Sequence, residues 1–314
     1  MGLHSVNPAD RYLQQLSRSD LLILAEAAGA GTDDADAALA HFRDDPSAIE
    51  SALFADDTFR HLFGERTITV SGTTSAPAEA AIHEGFSEAS PFLLFAVAVH
   101  RGVMDLHTSP FVSERVGAHR RIPIFDAASI LDYYVEPSRR LFAAEHLASY
   151  TQVRSGPVWV RHNGKLRRQR YSELDPARLA ALLDVLPDED KVGIYRRLGD
   201  LALFLTGVFG DHTAREAPHP IEVERLIRTV RDEPDLRLDV DEIAALAGGN
   251  GRAGLLSTLG PRWYRMAADR SPLPAVRRAL HDVAEGFDTA RRFLTLVTDR
   301  YLFGGTDRWF GTSH

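Results

Sequence analysis

"VRRALHDVAEGFDTARRFLTLVTDRYLF" occupies Val276–Phe303. Val276, Leu280, Val283, Phe287, Ala290 and Leu294 recur every three or four residues, with arginines filling the other side. That period is the signature of a helix with one buried stripe. The spacing predicts a helix over 273–302. Reading outward, the same period predicts helices at 176–186, 188–209, 220–232, 239–247 and 252–269. Earlier in the chain it predicts 77–88, 91–104, 126–135 and 137–150, and a run of short helices from 8 to 63.

Helix starts are marked repeatedly. Asn7-Pro8, Asp45-Pro46, Ser90-Pro91 and Asp175-Pro176 each set a capping side chain before a proline. The side chain can accept an unpaired backbone N–H, and proline pre-sets the helical φ. "RTITVSGTTSAP" (66–77) breaks the helical period and reads as an extended segment and a candidate boundary. Two regions are therefore expected: a small acidic helical one over 1–70, and a main helical domain over 71–314.

One stretch inside the second region is plainly not helical. "PVWVRHNGKLRRQRYSELD" (Pro157–Asp175) centres on Asn163-Gly164, the pair that best satisfies the positive φ angles of a type I′ turn. A hairpin at about 157–171 follows, with Trp159 opposite Arg168 and Arg161 opposite Leu166. The expected fold class is mainly α, a multi-helix bundle with one inserted β-hairpin.

The hairpin is also the best functional candidate. Arg161, Lys165, Arg167, Arg168 and Arg170 fall on it with no acid before Glu173, in a chain of net charge −8. Trp159 adds a surface on which a flat ligand could stack. Two readings compete. Glu173, Asp175, Asp184, Asp188, Glu189 and Asp190 follow closely and could neutralise the ribbon within the chain. Otherwise the charge is left for an anionic small ligand or an acidic protein partner.

Composition bounds the alternatives. Hydrophobic residues make up 44% and charged residues 25% of 314 residues, values ordinary for a globular protein. With no cysteine, thiolate metal sites and disulfides are excluded. The N-terminus has no basic region followed by an apolar one, and the most apolar run, Pro91–Val99, is about half a membrane span. A soluble, cytoplasmic protein away from membranes is expected. The acidic balance argues against nucleic acid coating the whole surface but leaves a local basic patch open.

Weaker constellations point to an acid–base or metal-dependent enzyme. Asp200 lies in the apolar stretch "LGDLALFLTGVFGDH" (Leu198–His212), where a buried carboxylate needs a partner. His100 and His107 flank Asp105, and Glu79/His83 and His281/Glu285 are each four apart. None has the spacing of a known zinc or di-iron motif, and no cofactor is implied. "GGNGRAGLL" has a flavour of helix-turn-helix, with Arg252 as its only nearby phosphate contact. "LGDLALFLTGVFGDH" together with "LGPRWYRMA" (Leu259–Ala267) resembles segments of uncharacterised bacterial helical proteins, a resemblance that implies a helical bacterial protein and no chemistry.

Overall fold

A computed structural model describes residues 7–64, 88–116, 120–152, 155–162, 165–231 and 251–302, with backbone alone for much of 155–171. The expectations for 66–77, 77–88, 239–247 and the turn Asn163-Gly164 lie outside these residues. The protein is mainly α with an inserted antiparallel hairpin. It divides into two compact units: 1–110 with 126–152 and 296–314, and 111–125 with 153–295. The helices before residue 70 pack in the first unit with Pro91–Leu106 and Pro137–Ser149.

The first unit is built around the helix Pro91–Leu106, whose residues Phe92 to Val99 are all buried. Ser90 caps it by accepting Leu93 N–H at 3.2 Å. Asn7 and Asp175 cap their helices as expected, accepting Ala9 N–H and Arg178 N–H. Asp45 acts one residue earlier than expected: the helix begins at Ser47, and Asp45 accepts both its N–H and its hydroxyl. Fully buried Asp20 joins two helix starts. It accepts Ser17 N–H in a capping box and Ser90 N–H from seventy residues away, at 2.8 and 2.7 Å.

His100 is buried in this unit. Its Nδ1–H donates to Ala96 O at 2.7 Å, and its ring meets Phe54 edge-on. Burial lowers its pKa from 6.5 to about 3, with Arg140 adding to the effect. The folded state thus refuses a proton that the unfolded chain takes up below pH 6.5. The stabilisation is complete above that pH and is lost as pH falls towards 3. By pH 5 the loss is about 2 kcal/mol. In His100→Phe, urea denaturation should show the stability difference between pH 7 and pH 5 smaller by about that amount; an unchanged difference rules the histidine out as its source.

The core of the second unit is the pair Asp188–Gly207 and Gly251–Arg270. They approach closely because glycine stands at the contacts. A Cβ at Gly199 would lie 2.9 Å from the Tyr264 ring, and one at Gly260 would lie 3.0 Å from Ala202 Cβ. Trp263 fills the remaining space, its indole N–H donating to Thr229 Oγ1 at 2.7 Å.

Three expectations need correction. The 273–302 helix is two helices, Pro274–Glu285 and Phe287–Val297, broken at Gly286 and followed by a π-helical turn at Thr298–Leu302. The 176–186 helix ends at Ala180 and continues as a 3-10 turn to Asp184. A second, shorter ribbon stands where none was expected: β1 (Val112–Val116) pairs with β2 (Arg120–Ile124). It is tied down by Glu114, whose oxygens receive Arg291 Nη1 and Nη2 at 2.8 and 2.9 Å and Arg292 Nε at 2.5 Å. Burial pushes that carboxyl up, but the two guanidinium groups outweigh it and hold it below the usual range.

Candidate functional site: the basic ribbon

The expected hairpin is β3 (Ser155–His162) paired with β4 (Lys165–Ser172). Its register is the one the Asn-Gly turn dictates: His162 faces Lys165, Arg161 faces Leu166, Val160 faces Arg167 and Trp159 faces Arg168. Residues directly opposite share a face. Trp159, Arg161, Leu166, Arg168 and Arg170 therefore fall on one face, and Val158, Val160, His162, Lys165, Arg167 and Gln169 on the other. The side chains of these residues lie outside the described set.

What is described is where the neighbouring acids go. Glu173 pairs with Arg197 at 3.4 Å. Asp175 is the cap of Pro176–Ala180 and also meets Arg178 Nε at 3.0 Å. Asp184 meets Arg228 at 3.8 Å, and Asp188 meets Lys191 at 2.7 Å. Glu189 and Asp190 stand exposed in the first turn of Asp188–Gly207, where negative charge is favoured by the helix N-terminus. Four of the six acids that follow the ribbon, Glu173, Asp175, Asp184 and Asp188, thus each meet a cation outside it.

Asp200, His100, Asp105 and His107 make up the enzyme constellation. Asp200 belongs to one compact unit, and His100, Asp105 and His107 belong to the other. Asp200 accepts the Tyr264 hydroxyl at 2.7 Å, with Arg196 Nε at 3.8 Å. Burial raises its pKa against both partners. Asp105 is held by Arg300 and Tyr301, and His107 is exposed. His281 meets Asp269 at 3.2 Å, on a neighbouring helix, instead of Glu285. Glu79 and His83 lie outside the described residues. Among those described, no three metal-ligating side chains converge.

Arg252 is likewise committed. Glu216 and Glu222 hold its guanidinium at 2.8 and 2.7 Å, so the helix-turn-helix reading loses its phosphate contact. The first unit carries a cleft of about 610 Å³ among Leu22, Ile23, Glu26, Asp33, His61 and Glu88. Glu26, Asp33 and Glu88 make its lining acidic, the wrong sign for an anion.

The second ribbon supplies residues that the sequence reading passed over. Phe111 and Phe125 stack edge-on at 6.0 Å and are 44% and 79% exposed. Arg120 is exposed, and no hydrogen bond or ion pair among the described residues holds it. Alternation at Ile122 and Ile124 was the available signal. Among the described residues, no helix is long and apolar enough to cross a membrane. No protein-family model, curated protein or solved structure matches the chain.

Proposed function

We propose that this is a binding or regulatory protein that engages an anionic partner through the β3–β4 ribbon, with Arg161, Lys165, Arg167, Arg168 and Arg170 as the charge and Trp159 as a stacking surface. The observation that supports it most is the commitment of Glu173, Asp175, Asp184 and Asp188 to Arg197, Arg178, Arg228 and Lys191. Five cations along two short strands repel one another unless something of opposite sign approaches. The meeting of four nearby acids with other cations supports the reading that this attraction serves a partner.

The test uses immobilised heparin, a polyanion of general character. Although its net charge is −8, the protein should be retained at low salt and released as salt rises, since exposed charges are screened within about 8 Å at physiological ionic strength. Arg167→Gln, Arg168→Gln and Arg170→Gln together should abolish retention without changing the circular dichroism or the melting temperature. Identical elution of the triple variant and the parent protein removes the ribbon from consideration.

A further inference from the structure

The two faces of the ribbon offer different chemistry. Pro157 stands opposite Arg170, Trp159 opposite Arg168, and Arg161 opposite Leu166. One face therefore holds three arginines and a tryptophan, and neither strand contributes a carboxylate to it. Lys165, the only lysine of the ribbon, is on the other face with Val158 and Val160.

That distribution distinguishes among anions. Carboxylates on an acidic protein surface also pair with arginine, but they do not by themselves call for an indole beside it. Phosphate diesters favour the planar guanidinium fork, and a base that is free of a duplex stacks on tryptophan whatever its sequence. Spacing agrees. Arg168 and Arg170 are two residues apart on one strand, about 6.7 Å along the ribbon, close to the step between successive phosphates of an extended single strand. Trp159 stands directly across from Arg168 and two rungs from both Arg161 and Arg170, on the same face as all three.

We propose that the face carrying Trp159, Arg161, Arg168 and Arg170 binds single-stranded nucleic acid, with phosphates on the arginines and a base on Trp159. This rests on the reading of the ribbon as an anion-binding element and narrows it to one ligand class. Acidity elsewhere in the chain does not oppose it, because the ribbon's field acts over a Debye length and not over the whole molecule.

The experiment is fluorescence anisotropy of the full chain with labelled oligo-dT and oligo-U at about 50 and 200 mM salt. Three phosphate contacts to a single strand imply a log–log salt slope near −2, hence binding about twentyfold weaker at the higher salt. Arg168→Gln with Arg170→Gln should flatten that slope to about −0.7. Trp159→Leu should weaken binding about tenfold or more with the slope unchanged. Arg167→Gln, on the opposite face, should cost no more than one phosphate's share of the slope. If heparin retains the protein while neither oligonucleotide binds, the inference is overturned and the broader anion-binding reading stands. Capture by phosphatidylserine vesicles without oligonucleotide binding overturns it in favour of a membrane surface. Loss in Arg167→Gln as large as in the Arg168/Arg170 pair overturns the assignment to this face.

Discussion

Asp105→Ala is expected to cost the first unit about 3–5 kcal/mol, the range for removing one partner from a buried ionic cluster. Asp105 closes the C-terminal end of Pro91–Leu106 against the π-helical turn at Thr298–Leu302. Its Oδ2 receives the Tyr301 hydroxyl and Arg300 Nη1, the latter at 2.8 Å, and Oδ1 faces Arg101 Nε at 3.4 Å. Tyr301 is itself buried against the stacked rings of Phe59 and Phe63. Without the carboxylate, its hydroxyl loses that acceptor in a place water does not readily reach. Arg101 would fare better, since Asp56 still holds it, and Arg300 would keep Ser109 at 2.9 Å. Most of the penalty therefore falls on the Tyr301 hydroxyl and on the ion pair that Arg300 loses. Asp105→Asn keeps an acceptor for the hydroxyl and should lose less, and Tyr301→Phe should cost about 1.5–3 kcal/mol, the range for one hydrogen bond to a charged group. Urea denaturation checks the order. A near-neutral Asp105→Ala would mean that the turn is not held by this carboxylate.

Gly260→Val should destabilise the second unit by about 3 kcal/mol or more, and here two effects oppose each other. Glycine in a helix interior costs up to about 1 kcal/mol relative to alanine, so propensity alone favours a substitution. Packing opposes it. A Cβ at this position would stand 2.5 Å from Cζ of the buried Phe287 and 3.0 Å from Ala202 Cβ, and overpacking a filled core costs about 1–3 kcal/mol, more when backbones must part. Neither neighbour is the loose end of a flexible chain, so the clash wins. Gly260→Ala should fall between the parent protein and valine. Gly193, on the exposed side of Asp188–Gly207, has nothing within 4 Å of its missing Cβ. Gly193→Ala should therefore raise the melting temperature. A stabilised Gly260→Ala would show that the two helices are not in close contact there.

Local signals were readable wherever a few adjacent residues carry them. Ser90 before Pro91, Asp175 before Pro176 and the Asn-Gly turn each settle a helix start or a strand register within a handful of residues. Those boundaries agree with the structure to within a residue or two. The β1–β2 ribbon escaped because Pro123 lowers the strand signal, and Arg115, Arg120 and Arg121 interrupt its alternation. The break at Gly286 escaped because the apolar period runs through it unchanged.

Sequence by itself determined the helical class, most element ends and the pairing of Trp159 with Arg168, because caps, turns and periodicity act over one or two turns of chain. The tertiary structure alone decided which charge meets which: Glu114 with Arg291 across 177 residues, Asp105 with Arg300 across 195, and Arg252 with Glu216 and Glu222. Coulomb attraction depends on distance in space, and distance in space is set by how helices cross, which no short stretch encodes. The same holds for Gly260. Its need to be glycine comes from Phe287, which reaches it only once the helices have come together.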